Sequence, residues 1–468
     1  MKKYSLVAAA VAAAVSAGAF AASPPPLTGT PSASNPTVSL IIAGSSAAQS
    51  AVVKAVQGAV CGGAANALTI TSTGNGNFQS VSCFSNVAIT TNGGTIPANT
   101  LITVYYRSEG GSVVGALPLV TGYQPFRLNL SDSSCTAGAG ATTGSCAITG
   151  SSASNGTNDS FSGAVTHGTV QLGVTDVEPA QLTNADFPSN YSPSVWGITA
   201  AGGQAAVQTA LGKLNTSPLL QQVFGIAVNA TGLTLNSAAG GKINLSNASV
   251  ANILNGTDTD WSNVVDAVTG AAVSSTSAAI SVINREPGSG TRTSTNIYFF
   301  GYQCGTPSSI AAGSGALNFS TGDDLSAASK VNGSITYASI DKVQPGNSSG
   351  LTLVSLNGVT PSTLAAALGQ YNFWYEATFV PNPGVSSSSQ TGILSQFLQN
   401  AVPLLANAPQ QADVNVIPGA GSDINGNGNA SGLPLSNAAF TAGTGSSEIY
   451  INPYTRAGNS CNAPAATL

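Results

Sequence analysis

What this sequence lacks above all is charge. Of its 468 residues only 6% are Asp, Glu, Lys or Arg, against roughly 25% in an ordinary soluble domain. The surface must therefore be made of Ser, Thr, Asn and Gly. The few charges lean acidic, with 12 Lys+Arg against 17 Asp+Glu. That balance argues against nucleic acid or an anionic membrane surface as partner, since both need basic patches. A single histidine, His167, and the absence of any CxxC spacing argue against a zinc site. No metal, no cofactor and no catalytic residue is expected. Beyond the first twenty residues no apolar run is long enough to cross a bilayer, so no membrane insertion is expected.

The first residues carry an export pattern. Lys2 and Lys3 precede the apolar stretch from Leu6 to Val15, and Ala19-Phe20-Ala21 offers a small-residue cleavage site. Residues 1–21 are thus expected to be a signal peptide, and the protein periplasmic or secreted. Residues 22–37, rich in Pro, Ser and Thr, read as a disordered leader. Export suits the six cysteines, an even number consistent with three disulfides. Their spacing suggests the pairs Cys61–Cys83, Cys135–Cys146 and Cys304–Cys461, although six cysteines allow many connectivities.

Short apolar runs punctuated by turn residues predict strands at Val38 to Ala43, Leu101 to Tyr106, Gln171 to Val174, Phe224 to Val228 and Ile280 to Asn284. Helix-like stretches follow several of them, notably Ser45 to Gln57 and Thr293 to Phe300. That alternation predicts an α/β architecture with mixed, mostly parallel sheets. The Ser/Gly/Thr-rich stretches 130–165 and 380–390 read as surface insertions.

The most informative segment is Arg285-Glu286-Pro287-Gly288-Ser289-Gly290-Thr291-Arg292, between a predicted strand and a predicted helix. Glycines let backbone approach a ligand closely. The free N–H groups and dipole of a helix start favour an anion. Ser289 and Thr291 add hydroxyls, and Arg285 adds a bidentate charge. The alternative is an ordinary Gly-rich turn with Ser289 as N-cap. Two other sequences suggest sites less strongly. Gly346-Asn347-Ser348-Ser349-Gly350 fits the GxSxG of a serine hydrolase, but a strand-like run follows it, and His167, the sole base, precedes it. Asp423 to Gly428 resembles the start of a calcium loop, but Pro434 stands where that loop needs Glu; a polar turn is the better reading.

The Arg285 loop, RxxGSGT after a strand, resembles the phosphate-binding loop of the phosphate ABC transporter substrate-binding protein family. Other segments are similar in the family's order: Gly44-Ser45-Ser46, Leu172-Gly173-Val174-Thr175-Asp176, Ile253-Leu254-Asn255-Gly256 with Asp260-Trp261, Gly333-Ser334-Ile335-Thr336-Tyr337, and Leu356 to Pro361. The resemblance implies a type II periplasmic-binding-protein fold with two lobes and a ligand cleft between them. It implies phosphate or a similar oxyanion as ligand, held by Arg285, Ser289, Gly290 and Thr291. It gives Asp176 the acceptor role toward a protonated anion oxygen, with Ser46 donating from the first turn; either Glu109 points away and Ser108 or Ser112 contacts the ligand, or the ligand is not phosphate. A simple N-cap is the alternative role for Ser46 and Asp176. Two positions depart from the family: Pro287 stands where many members have an acidic residue, and Glu109 lies in the turn that is Ser-rich in the family.

The expected organisation is lobe 1 over 38–225 with the insertion 130–165, lobe 2 over 226–345, and a return to lobe 1 with a C-terminal extension over 346–468. A monomer serving an ABC permease is the expected role. The alternatives are a secreted surface or matrix protein that keeps the fold without transport, and a secreted serine hydrolase using Ser348.

Overall fold

The computed structural model describes residues 38–466 except 75, 139, 152–159, 183–202, 303, 306–308, 311–316, 344–349, 363–364, 367, 406–431 and 434–453. The expected signal peptide, leader, Ser348 and the Asp423 to Gly428 turn therefore lie outside the described residues.

The first strand, β1 (Val38–Gly44), is apolar at nearly every position because both of its faces are covered. Val38, Leu40 and Ile42 belong to one core cluster, and Ile41 and Ala43 to another. Around it lie α1 (Gln49–Ala59), β2 (Leu68–Ser72), β3 (Phe78–Phe84), β4 (Leu101–Arg107), α2 (Gly111–Thr121), β5 (Cys135–Ala137), β6 (Thr143–Cys146) and β7 (Leu172–Thr175). After α3 (Gly203–Leu211) comes the long strand β8 (Ser217–Asn229). Then follow α4 (Asn247–Leu254), β9 (Ser281–Val282), α5 (Gly290–Phe300), α6 (Thr321–Ser329), β10 (Ser334–Ser339) and β11 (Leu351–Leu353). β12 (Trp374–Pro381) and α7 (Gln390–Leu405) complete the set.

The principal sheet runs β9-β10-β8-β12-β7-β1-β4-β3-β2-β6-β5, with β11 alongside β8. The sheet is mixed, as expected, but it is not mostly parallel. β1 pairs in parallel with β4 and β7, β2 with β6, and β9 with β10. The other neighbours are antiparallel. Part of the excess comes from chain-adjacent strands such as β2 and β3, joined by a short connection, and part from β8 and β12, which run against their neighbours β7, β10 and each other. The 130–165 stretch is also less peripheral than its composition suggests: β5 and β6 join the sheet, and Cys135 and Cys146 are fully buried.

β8 connects two halves of the sheet. Its residues 217–223 pair with β12, and Phe224–Val228 pair with β10. The chain returns beside it, where Phe224 N donates to Phe373 O at 2.9 Å. Below, the first half means the strands from β12 to β5, and the second half means β9, β10, β11 and the helices α4 to α6.

All three expected disulfides are formed, with Cα separations of 5.6, 3.9 and 5.4 Å. The long-range one, Cys304–Cys461, anchors a C-terminal strap, residues 454–466, to the second half just beyond α5. The residue before it, Ser460, is held by the first half: its N–H and hydroxyl both donate to the Glu178 carboxylate, at 2.8 and 2.5 Å. Arg456, also in the strap, is buried against the crossover. It donates to Trp374 O at 3.1 Å and Asn372 O at 3.0 Å, and its guanidinium stacks 4.4 Å from the Tyr375 ring centre. Glu376 accepts from Arg456 N and Gly458 N, each at 3.1 Å. Arg456→Ala is expected to cost on the order of 3 kcal/mol, because it strands buried carbonyls and leaves Glu376 without a nearby cation. Equilibrium urea unfolding checks this; a midpoint within error of wild type would show the strap is not part of the cooperative unit.

Candidate functional site

The three turns singled out in the sequence meet where the two halves face each other. Gly44 ends β1, and Ser45 follows with its N–H on Val174 O at 2.9 Å, so the turn after β1 lies against the end of β7. The Ser45 hydroxyl donates to Asp176 Oδ1 and also accepts from Ala48 N at 3.0 Å. Ser112, in the first turn of α2, accepts from Asp176 N at 3.0 Å. Helix α2 sits this close to the strands because Gly115 and Gly173 face each other; a Cβ on Gly173 would lie 2.0 Å from Gly115 O. Thus Ser45, Ser112 and Asp176 come from three segments of the first half and form one buried cluster.

From the second half, the Arg285 loop enters this cluster. Ser289 is the N-cap of α5 and accepts from Arg292 N at 3.3 Å. Thr291 donates to Asp176 Oδ2 at 3.3 Å, across the divide. Gly290 is required at its position: a Cβ there would lie 2.0 Å from Ser112 Oγ and 2.7 Å from Asp176 Oδ2. Arg285 is 1% exposed, and its guanidinium donates to Thr321 Oγ1 at 3.0 Å, Asn318 O at 3.2 Å and Phe319 O at 3.5 Å. Thr321 in turn lies 2.9 Å, Oγ to Oγ, from Ser46 of the first half, and Thr321 N donates to the same Ser46 oxygen at 3.3 Å.

All seven residues singled out from sequence (Ser46, Ser112, Asp176, Arg285, Ser289, Gly290 and Thr291) therefore converge, and each is buried. The simpler roles weighed for two of them do not hold. α1 begins at Gln49 with Ala48 as N-cap, so Ser46 does not cap the helix that follows it; its oxygen accepts instead from Thr321 N at the start of α6. The short 3-10 turn after Asp176, Pro179–Gln181, has Glu178 at its N-cap. For Ser289 the N-cap role and a place at the site coexist.

At both departures from the family pattern, the carboxylate there, Glu109 itself and Glu286 beside Pro287, is buried and turned to local donors. Glu109, 1% exposed, accepts from Asn77 Nδ2 at 3.4 Å, while its backbone oxygen accepts from Arg107 Nε at 3.2 Å. Glu286, beside Pro287, folds back on its own loop and accepts from Gly288 N at 2.6 Å.

Electrostatically the cluster is a buried carboxylate facing a buried guanidinium. Burial pushes the Asp176 carboxyl above the usual range, and the Ser45 hydroxyl, Arg285, and the Thr291 and Ser112 hydroxyls pull it back. Deeper in the second half, burial raises Asp324 to about 7, against the pull of Thr336, Arg285 and Asn318. Sequence reasoning missed Ser45, Thr321 and Asp324. Ser320-Thr321-Gly322-Asp323 carries a capping signal, with Ser320 Oγ accepting from Asp323 N at 3.1 Å. Nothing local in that pattern points to a ligand.

Among the described residues no cluster of His, Cys, Asp and Glu could hold a metal ion, and no helix is long and apolar enough to cross a membrane.

The Arg285 loop, α5, α6 and both crossover strands lie within a stretch that matches a known family model. Residues 199–399 match a PBP superfamily domain. The PBP superfamily match spans somewhat under half the chain, and leaves out Ser46, Ser112 and Asp176. Solved structures similar to the chain include a protein from Clostridium perfringens assigned as a phosphate ABC transporter substrate-binding protein and holding phosphate. It is 11% identical, with TM-score 0.43, over 80% of this chain and 96% of that one. An ABC-type phosphate transport receptor from Vibrio cholerae is 18% identical, with TM-score 0.30, over 50% and 74%. PstS from Borrelia burgdorferi is 16% identical, with TM-score 0.30, over 52% and 76%. None of the curated proteins matches the chain in sequence.

Proposed function

We propose that this protein is an extracytoplasmic solute-binding protein for phosphate or a similar oxyanion, with the ligand held between two lobes that pivot on β8 and the return through Phe373. The observation that carries this reading is the meeting of Arg285 and Asp176. They stand 109 positions apart in the chain, are both buried, and come from opposite halves onto the N-terminus of α5 with Ser45, Ser112 and Thr291 around them. A guanidinium, hydroxyl donors and free helix N–H groups suit an anion. A carboxylate in the same cluster suits an anion that still carries a proton, because it can only accept when ionised. Lobe 1 would be 38–225 and lobe 2 226–345, with 346–468 returning to lobe 1. Delivery to an ABC permease in the periplasm or at the cell surface completes the proposal. The role is binding and release, with no bond made or broken.

Titration of the purified protein with phosphate and sulfate by calorimetry tests it. Wild type is expected to prefer phosphate by about tenfold or more, since sulfate has no proton to donate to the Asp176 carboxylate and is repelled by it. Asp176→Asn removes both the acceptor and the negative charge, and is expected to bring the two affinities together. A wild type that takes sulfate as tightly as phosphate would remove Asp176 from this role. A wild type that binds neither at millimolar concentration would turn the assignment toward a surface or matrix protein built on the same fold.

A further inference from the structure

Three acceptors of the Arg285 guanidinium lie in one short stretch, the Asn318 and Phe319 carbonyls and the Thr321 hydroxyl. That stretch leads directly into α6. Three residues beyond Thr321, on the same side of the helix, is Asp324, fully buried. Its Oδ1 accepts from Asn318 Nδ2 at 3.3 Å, and its Oδ2 accepts from the Thr336 hydroxyl of β10. Its own N–H donates to Ser320 O at 3.1 Å, inside the turn that carries Thr321. Asp324 therefore braces two of the groups that hold Arg285: Asn318 by its carboxyl, and the Thr321 turn by its backbone N–H.

The charged and titratable surroundings of Asp324 are few. Arg285 is the cation acting on it. Asp323, next to it on α6, is acidic and accepts from the Ser320 hydroxyl at 2.7 Å. From β10 comes the Tyr337 hydroxyl, which accepts from Arg285 N at 3.3 Å. From α5, Arg292 reaches Arg285 O at 2.8 Å and acts on Tyr337.

We infer that Asp324 is a positioning residue for Arg285, bracing the guanidinium against α6 through Asn318 and Thr321, and that its negative charge competes with the bound oxyanion for that guanidinium. The inference rests on the oxyanion reading of the site. Burial disfavours the ionised carboxyl and raises it to about 7. With a raised value, the group is neutral below about pH 7 and ionised above it. An anion bound to Arg285 disfavours the ionised form further, so binding and protonation help each other. Affinity then falls as pH rises through about 7, and the share of the fall that Asp324 contributes is the share that Asp324→Asn removes.

The test is calorimetric titration with inorganic phosphate at pH 5.5 and 8.5, on wild type and Asp324→Asn. Asn keeps the shape and most hydrogen-bonding capacity of Asp but does not titrate. The proton equilibria of phosphate itself are common to both proteins and cancel in the ratio of their dissociation constants. That ratio, wild type over variant, is expected to rise about tenfold between the two pH values, the effect of one unit of pKa coupling. Asp324→Ala, which loses the bracing bonds as well, is expected to bind phosphate more weakly than Asp324→Asn at both pH values. A ratio that does not change with pH overturns the charge competition, and an Ala variant equal to the Asn variant overturns the bracing. If phosphate fails to bind wild type at either pH, the oxyanion reading falls and this inference with it; binding by wild type with a flat ratio leaves that reading intact.

Discussion

Arg285→Ala is expected to weaken oxyanion binding by roughly 30- to 1000-fold, on the order of 2–4 kcal/mol. The guanidinium is the one cation in the cluster that faces Asp176, and its hydrogen bonds reach Asn318, Phe319 and Thr321 in a water-poor interior. A charge-assisted pair there is worth about twice a neutral hydrogen bond. Removing it leaves the charge of the anion undercompensated and Asp176 without a counter-charge. Phosphate titration at fixed pH measures the loss, and Arg285→Lys separates charge from geometry: an ammonium keeps the charge but cannot reproduce the planar fork. The ranking matters more than the size. A single hydroxyl change, such as Thr291→Val, that costs more than Arg285→Ala would shift the centre of the site from the guanidinium to the start of α5.

Gly290→Ala is expected to be the next largest loss, and for a steric reason. The added methyl would stand 2.0 Å from Ser112 Oγ and 2.7 and 2.8 Å from Asp176 Oδ2 and Cβ. Ser112 is fully buried and its hydroxyl is already committed to Asp176 N at 3.0 Å, so it cannot swing away freely. The start of α5 must then back off from the first half. Overpacking of this kind costs about 1–3 kcal/mol, or about 5- to 150-fold in affinity if it opposes only the ligand-bound arrangement. The readout is the phosphate-induced rise in melting temperature, which should largely vanish while the ligand-free melt changes less. An undiminished rise would show that α5 and the Ser112 turn need not meet when ligand binds.

The parts of this site that sequence revealed are those compressed into contiguous motifs. RxxGSGT holds Arg285, Ser289, Gly290 and Thr291 within seven positions, and each has a local physical reason to be there. Asp176 and Ser112 follow strand ends that can be seen as apolar runs. Ser45 stands beside Ser46 in the same turn, and sequence cannot say which of two adjacent serines faces Asp176. Thr321 and Asp324 were illegible: their meaning comes from Asn318 and Arg285 lying side by side as a bridge between distant segments. The fold divides in the same way. β1 and β4 were readable within one residue. The predicted strand covers β8 only over Phe224 to Val228, because its other end carries Pro218, which strands disfavour, and the polar Gln221 and Gln222. The predicted strand Ile280 to Asn284 shrinks to Ser281–Val282, since beyond Ile283 the backbone turns to place Arg285 beside Asn318. The antiparallel excess was hidden for a simpler reason: periodicity reports which faces are buried but not the direction of the neighbouring strand.

The strap has a mechanical consequence. Ser460 and Cys461 are consecutive, so their Cα atoms stay about 3.8 Å apart; one is bonded to Glu178 and the other to Cys304. The two halves are thus tied at three places rather than two: by β8, by the return through Phe373, and by a staple one peptide unit long. A door on two hinges swings, whereas a third fastening packed against one of them stiffens it. In the proposed role, less freedom is left to be lost when the halves close on an oxyanion, which favours tight binding.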